Sequence, residues 1–157
     1  MARIRDLLEE NLVIEDIEAT DKRGVIREFA ELLKSAGKVR DADELVRVLM
    51  EREALGSTGI GDGIAIPHAK LPVLRDMVVA FGRSSRGVEF QSTDGKPSHI
   101  FFLLVTPEDK PGDHLKTLAR ISRILRNPDL RDNLMRTSAC REIQRLIEEE
   151  DGKYQQK

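Results

Sequence analysis

Residues 52–68 have the sequence REALGSTGIGDGIAIPH, which passes from a helical pattern into a glycine-rich loop and then into a strand. Four glycines fall within residues 56–63, which predicts a loop whose backbone adopts angles that other residue types avoid. The segment that follows, IAIPH, is typical of a short strand. Pro67 confines this strand to an edge or an end of a sheet, because proline has no backbone N–H to donate.

Two helical patterns and one short apolar stretch precede the loop. Leu12–Ile17 predicts a first strand. Thr20 or Asp21 can cap a helix whose apolar residues recur at helical spacing, and Gly37 is a normal C-terminal residue for it. Asp41 opens a second helix, which leads into the glycine-rich loop.

The remaining strands are predicted after the IAIPH segment. Met77–Arg83 and Ser98–Val105 are apolar enough to be buried strands. Val88–Phe90 is a weaker strand between them, and Asp94-Gly95 is a turn.

Three helices complete the pattern. Asp113 is the predicted N-cap of the third helix of the chain, and Asn127-Pro128 ends that helix. Two more follow near Pro128–Arg136 and Ser138–Glu149. Helices, then strands, then helices around one core indicate a single-domain α/β sandwich with a mixed sheet, spanning residues 1–157.

Composition excludes several classes of function. The 26 basic and 28 acidic residues nearly cancel, so no nucleic acid is expected as a partner. The start of the chain lacks the apolar core of a signal peptide, and the longest apolar run, Ile100–Val105, is far below the roughly 20 residues that span a bilayer. We therefore expect a cytoplasmic protein without direct membrane insertion. The single cysteine, Cys140, is interpreted as a small buried hydrophobic residue, and the charged tail 148–157 is expected to be frayed.

Three interpretations of the glycine-rich segment compete. A nucleotide-binding loop is rejected, because a Walker loop ends in GKS or GKT and a dinucleotide fingerprint has its strand before the glycines and its helix after them. The second interpretation is a plain loop whose glycines only turn the chain, which is the case for most glycine clusters. The third is an active-site loop that ends in a histidine.

The third interpretation gives each polar residue of the loop a chemical function. Imidazole has an unperturbed pKa of about 6.5, so His68 is substantially neutral at cytoplasmic pH and could attack phosphorus, hold the phosphoryl group as a labile P–N bond and pass it on. Such an intermediate needs amides or hydroxyls for the phosphate oxygens and a cation for their charge. Ser57, Thr58 and Gly59 could supply the donors, and Arg52 the cation.

The other two histidines are less informative. His114 follows Asp113 and would lie in the first turn of a helix, where free amides and the positive end of the helix dipole favour an anion and a neutral imidazole. Beside His68 it would orient or contact a phosphoryl group; otherwise it is an exposed histidine without a function. His99 is interpreted as structural or as a surface residue. The histidine spacing fits no metal motif, so neither a metal nor a cofactor is expected.

The segment 52–68 resembles the type-2 IIA domains of the bacterial phosphoenolpyruvate-dependent phosphotransferase system, the fructose/mannitol group. Within that group it is most similar to the stand-alone nitrogen-related, or nitrogen regulatory, IIA proteins. The resemblance covers nearly the whole chain in element order and implies an α/β sandwich whose mixed sheet has about five strands flanked by helices. It also implies that His68 is the phosphorylated residue, that Arg52 is the active-site arginine, and that His114, followed by Leu115, is a second active-site histidine.

The resemblance implies partners as well. The donor would be HPr or its nitrogen-branch relative, and in sugar-transporting members the acceptor is a cysteine of a IIB domain. No IIB or IIC sequence is found in the 157 residues. This favours a phosphocarrier whose phosphorylation state is read by regulatory targets, such as potassium-transport or sensor-kinase proteins. The alternatives are a fructose/mannitol-type sugar-transport IIA that donates to a separate IIB, and a non-catalytic protein-binding module of the same fold.

Overall fold

The computed structural model describes residues 4–137 and 140–154, and its sheet is organised around strand β6 (Ser98–Pro107). This strand is central because it is apolar on both faces. Each residue from Ile100 to Val105 is at most 3% exposed, as expected for a strand that is covered on both sides.

The helices and strands follow one another in the order α1 (Ile4–Leu7), β1 (Val13–Ile14), α2 (Lys22–Ser35), α3 (Ala42–Ala54), β2 (Gly59–Gly61), β3 (Ile64–Ala65), β4 (His68–Leu71), β5 (Val78–Val88), β6, α4 (Pro111–Ile124), α5 (Pro128–Arg136) and α6 (Cys140–Gly152). The strand order in the sheet is β1-β5-β6-β3-β2, and β4 also pairs with β6. The pairs β1·β5, β3·β6 and β4·β6 are parallel, whereas β5·β6 and β2·β3 are antiparallel. The predicted α/β fold with a mixed sheet is therefore confirmed.

The sheet has six strands because the strand predicted at IAIPH is interrupted. Ile64 and Ala65 pair with the first half of β6, and His68 to Leu71 pair with its second half. Pro67 lies at the interruption, where its carbonyl oxygen accepts a hydrogen bond from the backbone N–H of Leu104 at 3.0 Å. The prediction that Pro67 lies at the end of a strand is confirmed.

One predicted strand, Val88–Phe90, is wrong as a separate element. Val88 is the last residue of β5, which continues from Val78 through a shift of register between Arg83 and Val88. Gly87 lies within the shifted segment at a φ of +90°, a conformation that glycine adopts without strain. The bulge keeps the chain paired with β6, so the two predicted segments form one long strand.

Local capping signals predicted two helix starts correctly and one incorrectly. The carboxylate of Asp21 accepts from the N–H of Gly24, and that of Asp41 accepts from the N–H of Glu44, as N-caps of α2 and α3. Asp113 is not an N-cap. Helix α4 begins two residues earlier, at Pro111, because proline at the first helical position lacks an N–H that would in any case be unpaired.

Both ends of the chain differ from the prediction. The first strand contains only Val13–Ile14, because Glu10–Leu12 form a 3₁₀ turn. The prediction that the tail is frayed from residue 148 is wrong over residues 148–152. These are the last residues of α6, and they include buried acidic side chains. The predicted helix start at Ser138 and the last three residues of the tail lie outside the described residues.

The buried apolar side chains of the helices and the sheet form one cluster. Two pairs of phenylalanine rings meet edge to face within it, Phe81 with Phe102 and Phe90 with Phe101, at centroid distances of 5.2 and 5.4 Å. None of the helices in the described part of the chain is both long and apolar enough to cross a bilayer.

Candidate functional site

His68 is the first residue of β4 and follows directly after the interruption at Pro67. In the parallel pairing with β6, His68 lies beside Leu104 and Lys70 lies beside Thr106. Alternate residues of a strand point to the same face, so all four side chains belong to one face of the sheet. Leu104 and Thr106 are fully buried on this face, whereas His68 is half-buried and Lys70 is exposed.

The hydrogen bond of His68 determines which ring nitrogen carries the proton. Nδ1 lies 2.7 Å from the carbonyl oxygen of Ile66. A carbonyl oxygen only accepts hydrogen bonds, so Nδ1 must donate. In the neutral ring Nε2 then has the free lone pair, so Nε2 is the atom of this histidine that could act as a nucleophile.

The structure brings His114 next to His68. Their ring centroids are 5.4 Å apart and the ring planes are inclined at 54°. His114 lies in the first turn of α4 and is only 5% exposed, so it is not the exposed histidine of the alternative interpretation. Its Nδ1 lies 2.6 Å from the hydroxyl oxygen of Thr106.

Both imidazoles are held in the neutral form. Burial is the main cause that lowers the pKa of His68, and the hydrogen bond to Ile66 opposes it only in part. The pKa of His114 is lowered from 6.5 to about 4, chiefly by burial, with further contributions from the positive charges of its neighbours, which include Lys70 and Arg52. Neutral rings near pH 7 are what a nucleophile and a hydrogen-bond partner of a phosphoryl group require.

Arg52 lies in the last turn of α3, at the edge of this site. Its Nη1 donates to the carbonyl oxygen of Gly56 at 3.0 Å, and the side chain is half-buried. The positive charge of Arg52 lowers the pKa of both His68 and His114. The predicted cation is therefore within electrostatic reach of both rings.

The glycine-rich loop has the unusual backbone that its composition predicts. Gly61, Asp62 and Gly63 form the turn between β2 and β3 with φ angles of +98°, +57° and +77°. The backbone N–H of Asp62 donates to the carboxylate of Asp94 at 3.1 Å, which attaches this turn to the predicted turn at Asp94-Gly95.

The loop residues predicted to bind phosphate have their donors engaged within the protein. The hydroxyl of Ser57 donates to the carbonyl oxygen of Phe90 at 2.6 Å and accepts from the N–H of Gly59 at 3.0 Å. The N–H of Thr58 donates to the Glu53 carboxylate at 3.1 Å, and the Thr58 hydroxyl donates to the same carboxylate. These contacts shape the loop, and phosphate binding by Ser57, Thr58 and Gly59 stays a prediction.

A buried ion pair beneath the loop was not predicted. Glu53 is 7% exposed, and besides Thr58 its carboxylate contacts Nζ of Lys22 at 2.8 Å. The same Nζ lies 4.8 Å from the ring centroid of Phe90. Lys22 lies in α2 and Phe90 lies two residues after the end of β5, so no local sequence pattern indicated this cluster.

Lys70 and Thr106 were also missed. The signal for Lys70 was present, because a residue two positions after His68 in a strand shares its face. No comparable signal existed for Thr106, since its contact with His114 depends on how α4 packs against β6.

His99 and Cys140 contact residues other than those around His68. Nδ1 of His99 is 2.8 Å from the carbonyl oxygen of Ser84. Cys140 is half-buried rather than fully buried, and its Sγ lies 3.1 Å from a carboxylate oxygen of Glu15; burial and this carboxylate raise the pKa of its thiol to about 11. Within residues 4–137 and 140–154, no three histidine, cysteine or acidic side chains are grouped as metal ligands.

Comparison with known protein families shows to which family the chain belongs. The sequence profile of the family described as phosphoenolpyruvate-dependent sugar phosphotransferase system, EIIA 2, matches residues 6–150. The chain belongs to this family. The resemblance carried by residues 52–68 is thereby confirmed, and this EIIA 2 member has relatives of both the sugar-specific and the nitrogen regulatory kind.

Three relatives illustrate this range. A nitrogen regulatory protein of Bradyrhizobium diazoefficiens is 39% identical over 132 residues, which are 83% of this chain and 85% of that protein. The fructose-specific EIIA component of Haloferax volcanii is 36% identical over 89% of this chain and 90% of its own length. The fructose-specific EIIABC component of Bacillus subtilis is 36% identical over 95% of this chain, but the chain spans only 24% of that protein.

Solved structures agree with the fold. The nitrogen regulatory protein IIA-Ntr of Neisseria meningitidis superposes with a TM-score of 0.86 at 30% identity, covering 92% of this chain and 98% of its own. The IIA mannitol protein of Escherichia coli gives a TM-score of 0.75 at 20% identity, over 88% of this chain and 97% of its own, which shows the shared fold.

Proposed function

We propose that this EIIA 2 protein is a phosphocarrier that accepts a phosphoryl group on Nε2 of His68 from an HPr-type phosphohistidine protein. The observation that carries the proposal is the hydrogen bond from Nδ1 of His68 to the carbonyl oxygen of Ile66. It leaves the lone pair on Nε2 of a ring that burial keeps neutral and that is still half-exposed to a partner.

The transfer step balances without a proton acceptor. The Nε2 lone pair of His68 attacks phosphorus, the new P–N bond forms as the P–N bond of the donor histidine breaks, and that electron pair returns to the donor ring. The donor ring, protonated on its other nitrogen, leaves as a neutral imidazole, while the ring of His68 keeps its Nδ1 proton and takes over the positive charge. The phosphoryl oxygens stay negatively charged throughout, so cations and hydrogen-bond donors stabilise them. Arg52 and Lys70 supply positive charge, and His114 is the adjacent ring that can contact a phosphoryl oxygen.

A regulatory output is the leading proposal for what happens next. Proteins called nitrogen regulatory align over most of their length with this chain, one at 39% identity. The phosphorylation state of His68 would then be sensed by regulatory targets, with HPr or its nitrogen-branch relative as donor. The alternative is donation to the cysteine of a IIB domain, which the fructose-specific EIIA relative of similar length supports. The mannitol IIA of Escherichia coli, which shares this fold, has been solved as a complex with phosphorylated IIB.

Intact-mass measurement tests the acceptor. The chain is incubated with phosphoenolpyruvate, Enzyme I and an HPr-type carrier, and we expect it to gain the mass of one phosphoryl group. The group should be lost in mild acid and retained in base, as a P–N bond requires. His68→Ala should abolish it, whereas the control variant His99→Gln should be labelled normally.

Two results would contradict the proposal: label that survives acid, or label on His68→Ala. The experiment is run with the general carrier HPr and with its nitrogen-branch relative. A wild-type chain that takes up no label from either of them would favour the alternative that the protein is a binding module without phosphotransfer. Comparing the general and nitrogen-branch carriers separates the two outputs, because a regulator of the nitrogen branch should be labelled faster by its own carrier.

A further inference from the structure

We propose that Thr106 is a positioning residue that fixes the tautomer of His114, so that Nε2 of His114 carries the ring proton. The tautomer is argued from the geometry alone. Its consequence, a hydrogen-bond donor prepared for the phosphoryl group, rests on the proposed function of His68.

Thr106 lies near the end of β6 and is fully buried, so bulk water does not reach its hydroxyl group. Its Oγ1 has one hydrogen-bond partner among residues 4–137 and 140–154, which is Nδ1 of His114 at 2.6 Å. In the sheet Thr106 lies beside Lys70, on the face that also carries His68. The hydroxyl group therefore contacts His114 from the same face of the sheet that carries His68.

The direction of this hydrogen bond follows from the number of protons. A hydroxyl has one proton, and in a buried place that proton needs an acceptor. If Nδ1 of His114 were the donor, the proton of Thr106 would be buried without an acceptor. If the hydroxyl is the donor, both atoms are paired. The hydroxyl of Thr106 therefore donates to Nδ1, and the single proton of the neutral His114 ring is on Nε2.

The two histidines are then held in opposite tautomers by different partners. The carbonyl oxygen of Ile66 keeps the proton of His68 on Nδ1, which leaves a lone pair on its Nε2. Thr106 keeps the proton of His114 on Nε2. The pair thus combines one nucleophile with one N–H donor, on rings whose centroids are 5.4 Å apart. In the other tautomer, His114 would direct a lone pair at an anionic phosphoryl oxygen and repel it.

The residue type at position 106 fits this function. Valine has nearly the same shape as threonine and suits the buried strand, but it has no proton to donate. Serine keeps the hydroxyl and loses only a methyl group. The pair Thr106→Val and Thr106→Ser therefore separates the hydrogen bond from the packing of the side chain.

Side-chain ¹H–¹⁵N NMR at neutral pH measures the tautomers directly, because protonated and unprotonated ring nitrogens have distinct ¹⁵N shifts. We expect Nε2–H for His114 in the wild type and in Thr106→Ser. Thr106→Val should show a mixture of tautomers or a shift to Nδ1–H. Ser98→Ala removes another buried hydroxyl group, from the opposite end of β6, and should leave the His114 signal as in the wild type.

Phosphoryl transfer from the phosphorylated carrier gives the second readout. A residue that orients a metal-ligating histidine through one hydrogen bond typically contributes about 10- to 100-fold to affinity or activity. We expect an effect of the same order for His114, so Thr106→Val should be slowed by that factor and Thr106→Ser should recover most of the rate. The proposal is overturned if His114 of the wild type is protonated on Nδ1, or if Thr106→Val keeps both the Nε2–H tautomer and the wild-type rate. A wild-type chain that is not phosphorylated refutes the proposed function and leaves the NMR result to decide the tautomer.

Discussion

Burial and hydrogen bonding act in opposite directions on the imidazole of His68. Removal from water disfavours the charged ring, whereas the carbonyl oxygen of Ile66 favours it. Burial is the larger effect, so the pKa falls and the ring stays neutral near pH 7. The hydrogen bond therefore orients the ring and selects which nitrogen carries the lone pair, without converting His68 into a cation. The proposed attack on phosphorus requires both.

The lowered pKa of His114 predicts that the protein is less stable at acidic pH. Its pKa is about 4 in the native protein, against 6.5 for an ordinary histidine. The unfolded chain therefore takes up a proton first as the pH falls, so the native state is destabilised progressively from about pH 6.5 down to about pH 4. The full difference corresponds to at most about 3 kcal/mol.

Denaturant unfolding of wild type and His114→Gln at pH 7, 5.5 and 4 checks this, because glutamine removes the titrating ring and keeps a polar side chain. The free energy of unfolding of the wild type should fall more between pH 7 and pH 4 than that of the variant. Parallel pH profiles for the two proteins would mean that His114 protonates equally easily in the folded and unfolded states.

We expect the substitution of Arg52 to change the rate of phosphoryl transfer rather than the stability of the fold. The charge of Arg52 lies within reach of both histidines, and an arginine that stabilises a transferring phosphoryl group is worth roughly 10³- to 10⁵-fold in rate in GTPases. Arg52→Ala should fold normally and accept phosphate much more slowly from the carrier. Arg47→Ala is the matched control, because it removes an exposed arginine from the same helix. A variant Arg52→Ala that melts much earlier but transfers at the wild-type rate would make Arg52 a structural residue.

Two adjacent residues at the end of α3, Arg52 and Glu53, contact the glycine-rich loop in different surroundings. Arg52 reaches the rim of the site, whereas Glu53 is buried beneath the loop and accepts from both donors of Thr58. The carbonyl oxygen of Thr58 in turn accepts from the N–H of Ile66 at 3.0 Å, and Ile66 orients His68. The end of one helix therefore contributes to the charge of the site and to the position of His68, the proposed nucleophile.

Glu53→Ala should destabilise the protein and disturb the site. It would leave Lys22 without its partner and Thr58 without its acceptor in a buried place, and breaking a buried ion pair typically costs about 3–5 kcal/mol. Glu51→Ala in the same helix removes an exposed pair with Arg47 and should cost less than about 1 kcal/mol. Urea unfolding measures both values, and the loop is not held by Glu53 if the two variants are equally stable.

Most elements defined by local chemistry could be predicted from the sequence, the N-cap at Asp113 being the exception, and elements defined by packing could not. The caps at Asp21 and Asp41 involve residues three positions apart, so their patterns were sufficient. The separate strand at Val88–Phe90 was wrong because the bulge that joins it to β5 exists only through pairing with β6. Likewise the histidine pair was anticipated from a family motif, but Thr106 reaches His114 only through the docking of α4, which no local pattern encodes.

Residues near the two ends of the chain meet, which explains why the acidic tail is helical as far as Gly152. Asp151 is 2% exposed, and its carboxylate accepts from Nε of Arg120 at 2.6 Å and from Nη2 at 3.1 Å. The same carboxylate accepts from the backbone N–H of Ile4 at 3.3 Å. One side chain thus joins α1, α4 and α6, and α4 is the helix that carries His114.

Asp151→Ala should therefore destabilise the whole protein. The substitution leaves the largely buried guanidinium of Arg120 without this carboxylate, and the loss of one partner of a buried ion pair typically costs about 3–5 kcal/mol, an upper range for this pair. Glu149→Ala, two residues earlier in α6, removes only an exposed pair with Arg145 and should unfold at nearly the same urea concentration as the wild type. Because α4 is one of the three helices held together, a marginally folded Asp151→Ala protein should also accept phosphate more slowly below its melting temperature. Equal urea midpoints for Asp151→Ala and Glu149→Ala would show that the tail contributes nothing to the fold, as its charged sequence first indicated.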